Sequence, residues 1–124
     1  MMTDIAKVPL AYIDAYNRAD LDGIIALFAP NAVVVDPIGA PPKAGHDELR
    51  AFFAEGIEAG ARLTLDGPVR AGSGHTAFPF HVNLQWDGQA MRIDVIDVFR
   101  FNDAGLIVEM TAYFGTDNSH IQGT

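Results

Sequence analysis

Residues 91–101 read M-R-I-D-V-I-D-V-F-R-F, and no other segment constrains the chain as tightly. In an extended strand, successive side chains point to opposite faces. One face then carries Met91, Ile93, Val95, Asp97, Phe99 and Phe101, and the other Arg92, Asp94, Ile96, Val98 and Arg100. Just upstream, Phe78, Phe80, Val82, Leu84 and Trp86 alternate with polar or small residues, and Asp87-Gly88 is a strong two-residue hairpin signal. The two segments are therefore predicted to pair as a long hairpin with one apolar face, which needs a covering layer.

The covering layer is legible nearer the N-terminus. Over residues 5–19, Ile5, Val8, Tyr12, Ala15, Tyr16 and Ala19 recur at helical spacing, with Pro9 tolerated in a first turn. Asp20 is a good N-cap for a second, short helix whose buried stripe is predicted as Ile24, Ile25, Leu27 and Phe28, ended by Pro30-Asn31. Residues 32–35 read as a short strand entering Asp36-Pro37, and residues 37–45 as a loop. A third helix is predicted over residues 47–58, with Leu49, Phe52, Phe53 and Ile57 on one face. Beyond Gly60 the period switches to two: Leu63 and Leu65 alternate, and a last strand presents Leu106, Val108, Met110, Ala112 and Phe114. Three helices followed by hairpin-linked strands predict an α+β domain spanning residues 1–124, with helices on one side of a curved antiparallel sheet. Such a sheet can enclose a cone-shaped apolar cavity.

Within this plan Asp97 is anomalous, a lone carboxylate in an apolar row. An ionised carboxylate loses a large hydration free energy on burial. Two readings fit. Asp97 is held by the backbone or by an arginine such as Arg100, or it faces an apolar cavity, stays protonated and donates a hydrogen bond to a ligand oxygen. Asp36 also has two readings, a turn residue before proline or a base at the mouth of a pocket. Tyr12 and Tyr16 lie four apart on one helix face, and periodicity does not choose between them. His46, His75, His81 and His120 show no metal-ligand spacing, and no Gly-x-Ser-x-Gly motif is present.

Composition narrows the ligand. The 124 residues hold 49% hydrophobic side chains, enough for a core, and no apolar run long enough to span a membrane. A formal charge of −8 without a basic cluster disfavours nucleic acid and anionic substrates. There is no cysteine, and the opening Met1-Met2-Thr3-Asp4 lacks signal-peptide character, so a cytoplasmic location is expected. A small, neutral, apolar ligand suits this composition best.

The segments A-Y-I, A-D-L-D-G-I-I-A-L-F-A, V-V-D-P-I-G, G-P-V-R-A, I-D-V-F-R-F and A-Y-F-G together resemble the bacterial ketosteroid isomerases (steroid Δ5-isomerases) of the NTF2-like, or SnoaL-like, superfamily. The resemblance implies the cone-shaped NTF2-like fold. It places a general base at Asp36, an oxyanion-hole aspartic acid at Asp97 and an oxyanion-hole tyrosine at Tyr12 rather than Tyr16. Ketosteroid isomerases are the standard example of an acid kept neutral by an apolar site, so that expectation comes with the resemblance. Where characterised members carry further tyrosines, this chain has Phe28 and Phe53, so no extended tyrosine network is expected.

The implied substrate is a 3-oxo-Δ5-steroid in a pocket lined by Phe28, Val34, Phe53, Phe80, Phe99 and Phe114. The implied reaction is proton transfer from C4 to C6 through a dienolate, giving the 3-oxo-Δ4-steroid. Neither metal nor organic cofactor is implied, and the family is typically homodimeric. The alternatives are another enzyme on this fold, such as a SnoaL-type cyclase or an epoxide hydrolase, and a non-catalytic steroid- or lipid-binding module. An Asp-Arg-Asp arrangement of the kind an epoxide hydrolase would want has no clear match.

Overall fold

The computed structural model describes residues 4–122. A single 3-10 turn, Ile5–Lys7, leads into α1, Val8–Asn17, with Pro9 in its first turn. The Asp20 carboxylate accepts the Gly23 amide at 2.9 Å and caps α2, Leu21–Ile25. The remaining elements are β1 (Phe28–Val35), β2 (Lys43–Ala44), α3 (His46–Glu58), β3 (Arg62–Leu65), β4 (Arg70–Gly72), β5 (His75–Trp86), β6 (Gln89–Phe101), β7 (Ile107–Tyr113), a second 3-10 turn (Thr116–Asn118) and β8 (Ser119–Ile121).

The strands form one curved sheet in the order β2-β1-β7-β6-β5-β3, with β4 beside β5 and β8 beside β6. Helices and sheet bury one apolar cluster between them, so the class is α+β. The β5–β6 hairpin is in register from Trp86↔Gln89 to His75↔Arg100. Its turn has positive φ at both Asp87 (51°) and Gly88 (76°), the geometry Asp-Gly favours. On β6 the predicted face is the inner one: Val95, Asp97, Phe99 and Phe101 are buried, while Ile96 and Arg100 are exposed.

Three local readings are corrected. Phe28 does not belong to the second helix, which stops at Ile25; it opens β1. The Leu27 carbonyl accepts the Ile107 amide at 2.9 Å, so the chain is already pairing with β7 there. Pro30-Asn31 lies inside β1, in an irregular stretch between the Phe28↔Ile107 and Val33↔Glu109 pairs. The sheet is also mixed rather than wholly antiparallel, because β7 returns parallel to β1 after the intervening elements. On β7 a register shift leaves Val108 as an extra residue opposite the Arg100–Phe101 step. This bulge puts Ile107, not Leu106 or Val108, into the core alongside Met110 and Ala112.

The packed centre is aromatic. Phe28, Phe53, Phe78 and Phe99 are almost wholly buried, each adding about 1.5–3 kcal/mol of hydrophobic stabilisation. Phe78 and Phe99 meet edge-on at 5.2 Å, and Phe28 lies 5.5 Å from Phe53. One polar clamp joins the two layers. The Asn17 side-chain amide donates to the Leu63 carbonyl and its oxygen accepts the Leu63 amide, each at 2.8 Å. The end of α1 thus serves β3 as an extra strand partner.

Candidate active site

Asp97 sits mid-strand on β6 with Phe78 of β5 and Ala112 of β7 as its cross-strand neighbours. Neither side chain can hydrogen-bond. The residue is 1% exposed, and neither carboxyl oxygen has a hydrogen-bond partner among the described residues. Arg100 is not its partner, since it lies on the other face with Glu109 at 3.9 Å. Burial pushes the Asp97 carboxyl well above the usual carboxylate range, and the charge of Asp36 raises it further.

Asp36 follows β1 directly, in a cis peptide with Pro37, and is half-buried. Burial alone lifts its carboxyl to about 6. At neutral pH Asp36 is therefore mainly ionised. The two carboxyls sit in different surroundings, one partly hydrated and the other enclosed by hydrocarbon, and both are raised by burial.

Tyr12 projects from α1 and is 3% exposed. Its ring is held edge-on by Phe99 at 5.3 Å, Phe53 at 6.0 Å and Phe78 at 6.4 Å. Burial raises its phenol well above the ordinary value, and Asp97, Tyr16 and Asp36 add to the shift. The hydroxyl is therefore a proton-bearing donor. It belongs to the same electrostatic neighbourhood as the two carboxyl groups.

All three residues border one cavity of about 170 Å³. Of the residues expected to line it, Phe80 and Phe114 do so. Phe28, Val34, Phe53 and Phe99 are instead buried in the core cluster and are not among the lining residues. Strand and helix periods identify an inward side chain, but not whether it meets a neighbour or an open space. Tyr16, Phe52, Gly56, Val82, Leu84 and Val95 are wall residues that the expected set omits. The strand parity already held part of that signal, because Val82 and Leu84 share the Phe80 face and Val95 shares the Asp97 face.

A larger groove of about 660 Å³ involves neither Tyr12, Asp36 nor Asp97 and includes Pro79, Asp94, Ile96 and Tyr113, which point to the outer side of the sheet. The dry, acid-lined inner cavity is where proton chemistry has its groups. The histidines lie elsewhere: His46 meets the Phe28 carbonyl, His75 the Ser73 carbonyl, His81 the Asp66 carboxylate and His120 the Asp94 carboxylate. Among the described residues no cluster of His, Asp and Glu is arranged to hold a metal ion. Nor is any helix there long and apolar enough to cross a membrane.

Chemically, this is an apolar cavity bordered by two carboxyls of raised proton affinity and a phenol. It can abstract a proton and stabilise the oxyanion that results.

Comparison with known proteins gives the arrangement a lineage. The chain is 33% identical over 115 residues to a "Steroid Delta-isomerase" of Nocardioides simplex, covering 92% of both proteins. It is 30% identical over 118 residues to the "Epoxide hydrolase LasB" of Streptomyces lasalocidi, covering 91% of this chain and 42% of that protein. Among solved structures, the epoxide hydrolase/cyclase-like enzyme SalBIII, described in pyran ring formation in the polyether salinomycin, superposes with a TM-score of 0.89. That match covers 94% of this chain and 95% of SalBIII at 22% identity, so it speaks to the fold. Residues 10–110 match the SnoaL-like domain, and the chain belongs to that family, on the NTF2-like fold.

Proposed function

We propose that this protein is a steroid Δ5-isomerase, converting 3-oxo-Δ5-steroids to 3-oxo-Δ4-steroids without a cofactor. One observation carries the reading: a carboxyl raised to about 6 shares a cavity with a fully buried carboxyl whose oxygens have no partner among the described residues. Asp36 removes a C4 proton made acidic by the C3 carbonyl. Electrons shift from the C4–H bond to form the dienolate, and charge develops on the C3 oxygen. Tyr12 and neutral Asp97 donate hydrogen bonds to that oxygen, where a dry site makes them count most. Protonated Asp36 then returns its proton to C6, and the base is regenerated. The likeness to the Nocardioides simplex isomerase supports this choice of reaction.

The test is to follow the conjugated enone from 5-androstene-3,17-dione by ultraviolet absorbance. Enone formation that depends on Asp36 supports the reading. Tight binding of the steroid with no movement of the double bond would make the protein a binding module instead.

The likeness to LasB favours a second reading, epoxide opening. There Asp97 would protonate the epoxide oxygen as its C–O bond breaks. Asp36 would take the proton of the attacking hydroxyl as the new C–O bond forms. A hydroxy-epoxide offered in parallel with the β,γ-unsaturated ketone separates the two reactions.

We also propose a homodimer. Ile38, Ile96 and Tyr113 are about half-exposed beside the outer groove, an apolar surface a second copy could cover. Sedimentation equilibrium should then report twice the 13.3 kDa chain mass.

A further inference from the structure

Tyr16 has no part in the chemistry above, yet it lies one helical turn beyond Tyr12 on α1 and borders the same cavity. Its ring stands edge-on to Tyr12 at 5.8 Å and to Phe53 at 6.0 Å. The hydroxyl makes no hydrogen bond among the described residues. It is seated on α3 at Gly56, so closely that a Cβ placed on Gly56 would collide with Tyr16 Oη and come within 3.1 Å of Cζ.

Glycine is a poor choice for a helix interior, where alanine is the best helix former. Gly56 lies in the last turn of α3, still within the helix, and no positive φ calls for glycine there. The space its missing Cβ leaves for the Tyr16 hydroxyl is a sufficient reason. With the hydroxyl seated, the ring occupies the wall that continues through Ala61 and, in β3, Leu63. The space that remains, about 170 Å³, is below the roughly 300–1,000 Å³ of pockets that enclose drug-sized ligands.

We propose that Tyr16, seated on Gly56, is a specificity-determining residue that limits the size of ligand the cavity takes in. The ring bearing the reacting ketone and its immediate neighbour are enclosed, while the far rings of a tetracyclic ligand remain at the mouth. This inference rests on the ketone-isomerase reading for its reaction, and it ranks compact one- and two-ring β,γ-unsaturated ketones above the tetracyclic 3-oxo-Δ5-steroids as substrates of that same reaction.

Two measurements test it. First, kcat/KM is measured for 5-androstene-3,17-dione and for a bicyclic β,γ-unsaturated ketone, in the wild-type protein and in Tyr16→Val. Removing the ring should raise the tetracyclic-to-bicyclic ratio by roughly 10- to 200-fold, the range one to a few added hydrophobic contacts produce. A ratio changed by less than about twofold overturns the proposal. Second, Gly56→Ala should lower the urea midpoint in the Tyr16 background and raise it in the Tyr16→Val background, where both the colliding oxygen and Cζ are gone. Stabilisation in both backgrounds, the ordinary result for alanine in a helix, would show that the seat does not exist.

If the wild-type protein isomerises neither ketone, the isomerase reading fails while the size limit stays testable by binding. Fluorescence titration with 2-naphthol and with estradiol, a two-ring and a four-ring phenol, then replaces turnover. Tyr16→Val should tighten estradiol relative to 2-naphthol by the same factor, and an unchanged ratio overturns the size limit independently of any reaction.

Discussion

The ionisation of Asp36 makes the most exposed prediction. Its carboxyl titrates at about 6 because it is partly desolvated, with no cation offsetting the burial. If the ionised form is the base, kcat/KM for 5-androstene-3,17-dione follows the ionised fraction. A group titrating at about 6 is roughly 9% ionised at pH 5 and 91% at pH 7, so the rate should rise about tenfold between them. An unperturbed carboxylate would already be saturated at pH 5. The same shift has a stability consequence of definite sign. The folded state binds the Asp36 proton more tightly than the unfolded chain, so stability attributable to this group falls as pH rises from about 4 to about 6. Asp36→Asn removes that cost. The variant should be more stable than the wild-type protein by on the order of 1–3 kcal/mol at pH 8 and no more stable at pH 3.5, while losing roughly 10²- to 10⁴-fold in turnover. The assays are the enone absorbance across pH and urea unfolding at the two pH values. A flat rate from pH 5 to 8, or Asp36→Asn activity equal to wild type, would refute the assignment of the base.

The other expectations concern the donors and the scaffold. Tyr12→Phe should keep the fold and lower kcat on the order of 10²- to 10³-fold; if Tyr16→Phe is the more damaging change in kcat, the donor has been assigned to the wrong tyrosine. Asp97→Asn should be milder than Asp97→Ala, because an amide still donates a hydrogen bond; equal losses would argue for a different role for the carboxyl. Asn17→Ala removes both bonds to Leu63 and should cost about 1–3 kcal/mol in urea unfolding. An unchanged midpoint would mean that the clamp adds nothing to stability.

Much of the fold was legible because local signals agreed with the global plan. Asp20 capped its helix, Asp87-Gly88 made its turn, and the alternation on β6 placed Asp97 inward. What escaped depends on partners distant in the chain. Phe28 is apolar and follows helical spacing, and only the pairing with Ile107 shows it to be a strand residue. The bulge at Val108 is a property of two strands together, so the pattern of either alone misplaces Leu106 and Ile107. The short strands β2, β4 and β8 are too brief to carry a period. In the site, the isolation of the Asp97 carboxyl depends on Arg100 facing Glu109 on the other side of the sheet, and a sequence that offers Arg100 three residues away leaves that open. Gly56 carries no signal by itself; its reason lies on another helix.

The parallel pairing of β1 with β7 sets when this site can come into existence. β1, which delivers Asp36, has only the two-residue β2 on its other side, and its long partner runs from Ile107 to Tyr113. During synthesis Asp36 therefore has no fixed position until β7, far along the sequence, has left the ribosome. Closing that long loop is an entropic step that precedes any reward from pairing, and such non-local contacts form slowly. In refolding, the proposed activity should return with β7 rather than with the helices, whose contacts are local. Under the proposed function, turnover thus doubles as a reporter of completed topology.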